Sequence, residues 1–186
     1  MGRLTEKQGK ALVSLARQAI TSYLAEGKAI KAPEGLPREK QGVFCTLKTK
    51  LDVLRGCIGL PYPTKPLADA VIDAAVSSAV GDPRFKPVEL DELGDIKIEL
   101  TVLTVPEELT CPKNDIPKNI TIGKHGLIIE QGRTGGLLLP QVAVENGPWK
   151  PIEFLEAVCW KAGLPPHAWM DPKTKLYTFE GQIFEE

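Results

Sequence analysis

Strand-like segments in this chain come as neighbours joined by tight turns, and that order constrains the fold more than any other feature. Gly42 to Lys48 and Val53 to Ile58 read as two short strands about a turn near Lys50 to Asp52. Leu127 to Glu130 and Leu137 to Leu139 flank the turn-prone Gln131-Gly132-Arg133-Thr134-Gly135-Gly136, a second hairpin. Ile96, Ile98, Leu100 and Val102 alternate with Lys97, Glu99 and Thr101, the pattern of a half-buried strand. A last strand is read where Leu176, Thr178 and Glu180 alternate with Tyr177, Phe179 and Ile183. Hairpins join antiparallel neighbours, whereas parallel strands need long crossovers. An α+β fold with a mainly antiparallel sheet flanked by helices is therefore predicted over a doubly wound one. If the first turn centres on Leu51, symmetry of numbering sets Cys45 opposite Cys57.

Three helices complete the reading. Thr5 and Gln8 form a capping-box pattern ahead of Leu12, Leu15, Ala16, Ala19, Ile20, Tyr23 and Leu24 at helical spacing, and Gly27 supplies the stop. Pro66 fits the first turn of a second helix carrying Leu67, Ala70, Val71, Ala74 and Ser78 before Gly81. Its small residues let a helix lie close to a sheet. A third helix is read from about Pro151 to Lys161, stopped by Gly163 and Pro165. It places Trp160 with Phe154, Leu155 and Val158 in a core or an interface.

Composition narrows the function classes. The 186 residues, 42% hydrophobic and 25% charged, suit one globular domain that needs neither disulfide nor metal to fold. With 23 Lys plus Arg against 24 Asp plus Glu, no global positive field exists to gather nucleic acid or an anionic membrane. Lys10 and Arg17 interrupt the first apolar pattern, so no signal peptide is expected there, and no run approaches the length of a membrane helix. Cys45, Cys57, Cys111 and Cys159 are scattered, without a CxxC pair or a histidine at metal-ligand spacing. A cytoplasmic protein with free thiols and no metal site is expected, with disulfide pairing, as intracellular proteins of hyperthermophiles use it, left open as the exception.

Leu54-Arg55-Gly56-Cys57-Ile58-Gly59 carries the strongest chemical signal. Residues two apart on a strand share a face, so Arg55 and Cys57 are expected to point the same way. A guanidinium beside a thiol favours the nucleophilic thiolate, and the glycines leave room for a ligand near the backbone. Cys57 and Arg55 are thus candidate catalytic residues, with Gly56, Gly59, Asp82 and Arg84 as candidate ligand contacts. The alternative is a small buried cysteine beside a structural ion pair. Asp82 and Arg84 flank Pro83 in a turn, where they either line the cleft or pair with one another. Asp73 reads as an exposed helix charge, and His125 and His167 as loop histidines outside any Cys-His pair.

The same hexapeptide resembles the signature of the AMMECR family, named after the Alport syndrome, intellectual disability, midface hypoplasia and elliptocytosis chromosomal region. The blocks 42–44, 66–68, 74–75, 82–85, 126–129, 136–142 and 161–165 also resemble that family, in its order. The resemblance implies a single domain with a larger and a smaller lobe, its signature lying near a cleft between them. It implies no established activity and names no cofactor. Family association points toward Memo-like or radical S-adenosylmethionine proteins as partners. Two functions follow from the residues and the resemblance together: thiol-dependent chemistry on a small polar or anionic ligand, or a non-catalytic binding module for RNA or a protein partner.

Overall fold

The computed structural model describes residues 3–145, 147 and 149–186. Two compact units emerge, one running to Val105 and taking in Gln182–Glu186, the other comprising Pro106–Gly181. The first holds α1 (Glu6–Glu26), β1 (Val43–Thr49), β2 (Leu54–Leu60), α2 (Leu67–Val80) and β3 (Ile96–Leu103). The second holds β4 (Glu107–Glu108), β5 (His125–Gln131), β6 (Thr134–Leu138), α3 (Val142–Glu145) and α4 (Pro151–Lys161). Strand β7 (Lys175–Glu185) contributes its first residues to the second unit and its last to the first. Strands run in the hydrogen-bonded order β2-β1-β3-β7-β5-β6, with β4 also on β7. Pairings β1–β2, β1–β3, β4–β7, β5–β6 and β5–β7 are antiparallel, as the hairpins require. The fold is α+β.

Local chemistry sets the element ends. Thr5 Oγ1 accepts the Gln8 N–H at 3.3 Å, and Gln8 Oε1 accepts the Thr5 N–H at 2.9 Å. Gly27, at φ 68°, closes α1 in the left-handed conformation. The helix buries Leu12, Leu15, Ala16, Ala19 and Ile20. It also buries Gly9, because the Phe184 ring fills the place of a Cβ there. Helix α2 starts after Pro66 and buries Ala70, Val71, Ala74, Ala75 and Ser78, packing on β1 and β2. The first core gathers Leu12, Ile20, Leu47, Leu67, Ile98, Leu100 and Phe184. The second unit has its own core of Ile116, Leu127, Ile129, Phe154, Leu155 and Val158. No helix among the described residues is long and apolar enough to cross a membrane.

Two expectations are corrected. Trp160 is 82% exposed, outside any core. Helix α4 buries Phe154, Leu155, Val158 and Cys159, whereas Trp160 falls one turn after Glu156, on the polar side. Cys45 does not face Cys57 either. The turn does centre on Leu51, with the Thr49 N–H donating to the Val53 carbonyl at 2.8 Å. Beyond it the ladder slips: Lys48 pairs with Leu54, but Leu47 pairs with Gly56, leaving Arg55 without an opposite number. This bulge moves Cys57 opposite Thr46 and Cys45 opposite Ile58, so the two cysteines occupy opposite faces of the sheet. All four cysteines are free thiols.

Candidate functional site

The signature hexapeptide lies in β2, whose outer main-chain groups have no neighbouring strand among the described residues. An unpaired edge leaves donors and acceptors to be satisfied otherwise. At Cys57 the turn following α2 does this. The Cys57 N–H donates to Asp82 Oδ2 at 2.8 Å, and Arg84 Nη2 donates to the Cys57 carbonyl at 3.1 Å. Asp82 and Arg84 thereby supply one residue's worth of ladder hydrogen bonds. The two are also joined to each other: Arg84 Nε reaches Oδ1 at 2.9 Å, Nη2 reaches Oδ2 at 2.7 Å, and the Arg84 N–H reaches Oδ1 at 3.1 Å. The Asp82 side chain is 2% exposed and the Arg84 side chain 54% exposed. Hydrogen bonds from Arg84 hold the Asp82 carboxyl far below the usual carboxylate range against the opposing pull of burial. Asp82 in turn pushes the Arg84 guanidinium up.

Ser78 holds the next residue. Its hydroxyl accepts the Ile58 N–H at 2.9 Å and donates to the Cys45 carbonyl at 2.7 Å, tying α2 to both strands of the hairpin. Gly56 is required by the same contact, since a Cβ there would strike the Ser78 carbonyl oxygen. At Gly59 the corresponding space belongs to the Phe44 ring. The room expected near these glycines is thus occupied by the protein itself.

On the exposed side, Thr46 Oγ1 lies 3.2 Å from Cys57 Sγ. The thiol is partly exposed, whereas Cys45 is fully buried. Burial, and secondarily the nearby Cys57, push the Cys45 thiol well above its ordinary range. Glu99 pairs with Thr46 across β1–β3, and its carboxylate meets Lys48 Nζ at 2.7 Å on the same face.

Arg55 takes another direction. Its Nη1 donates to the Lys86 carbonyl at 2.8 Å, and its Nη2 to the Pro87 carbonyl at 3.3 Å and Glu92 Oε1 at 2.6 Å. As the extra residue of a bulge it is aimed at the 86–92 segment, which follows directly from the Asp82-Arg84 turn. The structure therefore brings Cys57, Asp82 and Arg84 together and ties Arg55 to the neighbouring chain. Thr46 carries no signal in the sequence, and Ser78 reads there only as one residue of the second helix's packing face. Thr46 needed the bulge to be found, and Ser78 needed the helix to be docked.

The remaining candidates have local partners. Asp73 pairs with Lys65. His125 Nδ1 accepts the Thr121 N–H at 3.2 Å, and His167 Nδ1 lies 3.5 Å from Glu156. Both histidines belong to the second unit. Gly132 and Arg133 make a tight turn between paired Gln131 and Thr134. Among the described residues no group of His, Cys, Asp and Glu is placed to hold a metal ion.

Comparisons with known proteins agree with this signature. The model of the AMMECR1 family matches residues 13–184. A protein of Pyrococcus abyssi is 50% identical over 193 residues, covering 100% of this chain and 94% of its own length. One from Methanopyrus kandleri is 52% identical over 190 residues, covering 99% and 91%. The crystal structure of the uncharacterised protein PH0010 from Pyrococcus horikoshii superposes with a TM-score of 0.92 at 49% identity, over 98% of this chain and 93% of that one. With a family match across nearly its whole length and relatives at half identity, the chain belongs to the AMMECR1 family.

Proposed function

We propose that the first unit carries a site for thiol-dependent chemistry on a small polar or anionic ligand, with Cys57 as the reacting group and Arg84 as the ligand contact. One observation carries this reading. A buried carboxylate, Asp82, fixes the Arg84 guanidinium against Cys57 through two of its three nitrogens. The third, Nη1, makes no hydrogen bond among the described residues; the guanidinium carbon lies 5.4 Å from the centre of the Phe85 ring, and the side chain is more than half exposed. A guanidinium held along one edge and open along another is suited to carboxylate or phosphate oxygens. Because Asp82 neutralises its charge at a distance, attraction is short-ranged and directional. Arg55 acts indirectly, by holding the chain that follows the Asp82-Arg84 turn.

Iodoacetate and iodoacetamide test the reading, since they share a leaving group and differ in charge. At Cys57 the ratio of the two alkylation rates is expected to favour iodoacetate more than it does for 2-mercaptoethanol. Arg84→Gln should bring the ratio down to that of the small thiol. A Cys57 ratio that already equals the small thiol's in the unmodified protein contradicts an anion contact at Arg84.

A further inference from the structure

Cross-strand register builds a polar row on the first unit's sheet, on the face opposite α1 and α2. The helices pack on the side of Cys45, Leu47, Ile98 and Leu100. Alternation turns the intervening residues the other way, so that Cys57, Thr46 and Glu99 stand side by side on β2, β1 and β3. We infer that the ligand whose anionic group meets Arg84 also carries an amine that meets Glu99, making it a small zwitterion of the amino acid kind, a reading that rests on the Arg84 contact proposed above.

The Glu99 side chain is 14% exposed, which leaves little water to solvate its charge. Lys48 Nζ holds Oε2 at 2.7 Å, whereas Oε1 makes no hydrogen bond among the described residues. A largely buried carboxylate with an open oxygen favours a donor there, and a cationic donor most. Two residues further along β3, on the same face, Thr101 is 1% exposed and its hydroxyl has no partner among the described residues. A buried polar atom left in this way marks a place where a bound molecule completes the bond. Donors therefore stand at the β2 end of the row, on Arg84, and an acceptor at the β3 end, on Glu99. Two strand spacings, about 10 Å, separate Cys57 from Glu99 along the backbone. Asp82 beside Arg84 and Lys48 beside Glu99 leave the row close to neutral, which suits a ligand whose own charges cancel. A second anionic group would be repelled by Glu99, and a second amine by Arg84.

Two methanethiosulfonate reagents, with aminoethyl and hydroxyethyl tails, test the amine contact, because Cys57 itself delivers the tail to the row. Cys57 Sγ attacks the sulfenyl sulfur, an S–S bond forms, methanesulfinate leaves with the electron pair, and the thiol proton passes to solvent. The aminoethyl-to-hydroxyethyl rate ratio at Cys57, divided by the same ratio for 2-mercaptoethanol, cancels the intrinsic reactivity of the thiol. At about 1 M salt, where charges are screened beyond about 3 Å, it reports contact rather than distant charge. The unmodified protein is expected to favour the aminoethyl reagent by about tenfold, the effect of one charge-assisted hydrogen bond. Glu99→Gln should bring the ratio down to that of the small thiol, and Lys48→Met, which frees Oε2, should raise it. Circular dichroism confirms that each variant is folded. A preference absent from the unmodified protein, or unchanged in Glu99→Gln, overturns the inference and leaves the Arg84 contact standing. If Glu99→Gln does not fold, Lys48→Met decides, and a preference that fails to rise there overturns the inference likewise. A Cys57 that reacts with neither reagent in the folded protein overturns the thiol reading and the inference with it.

Discussion

At the scale of single residues, Asp82 carries the most structural weight. Its buried carboxylate accepts from the Cys57 main chain and from three Arg84 nitrogens. Asp82→Asn keeps the shape and loses the charge, so the Arg84 pair and the Cys57 anchor both weaken. A cost of about 2 kcal/mol in urea unfolding at neutral pH is expected, reduced from that of a fully buried pair because Arg84 is half exposed. The pH dependence has a definite sign. Because the folded carboxyl titrates below its unfolded counterpart, its contribution is complete above the ordinary carboxylate range. It is lost as pH falls from about 4 toward the lower folded value, and the gap between native protein and Asp82→Asn should narrow over that interval. A gap that widened on acidification would contradict the assignment. Half of this arrangement was legible in the sequence, since Asp82 and Arg84 flank a proline in a turn. That they stand in for a missing strand at Cys57 required the edge position of β2, which no local pattern encodes.

Element ends are legible where they carry chemical markers, and strand register, which depends on a residue count, is not. Thr5, Gln8 and Gly27 bound α1 because caps are local hydrogen-bonding devices. Register across β1 and β2 is a matter of counting, and one extra residue at Arg55 inverted the expected facing of Cys45. Trp160 shows a related limit, since a large apolar residue can fall on the polar side of an amphipathic helix without disturbing the pattern. Docking of α2 on the hairpin leaves no space at Gly56. Gly56→Ala should destabilise the protein by about 1–3 kcal/mol, the range for overpacking, and slow Cys57 alkylation by shifting β2 away from α2. Gly9 gives a sharper sign. Glycine to alanine inside an exposed helix ordinarily gains about 1 kcal/mol. Here the Phe184 ring stands in the way, so Gly9→Ala should lower the melting temperature. A rise would show that the ring moves aside without cost.

For the whole molecule, β7 is the informative segment, because Lys175–Gly181 count with the second unit and Gln182–Glu186 with the first. The late residues are anchored by Phe184 in the first core and by Glu186, which pairs with Arg17 and accepts the Ile98 N–H at 3.2 Å. Arg17 also donates to the Leu93 and Ile96 carbonyls at 2.7 and 2.6 Å. Phe184→Ala is expected to cost about 3–5 kcal/mol, as for other large buried side chains. Hydrogen exchange should show the loss of protection concentrated in α1 and β3 rather than in β5 and α4. The two-hairpin order predicted the antiparallel α+β fold. It did not predict that one strand would serve two cores, because the pattern from Lys175 to Glu185 changes phase between buried Phe179 and buried Phe184.

Thiol chemistry at this site requires Cys57 to be accessible and reactive in the folded protein. The most direct measurement is iodoacetamide labelling of the native chain, mapped by peptide mass spectrometry, with Cys45, Cys111 and Cys159 as internal comparisons. Cys45 is fully buried and pushed up by burial, and burial pushes Cys159 up as well. Cys57 is expected to label first, while Cys45 and Cys159 stay unmodified until the protein unfolds. Labelling of Cys57 only on unfolding, together with Cys45, would contradict it and make the signature cysteine a packing residue.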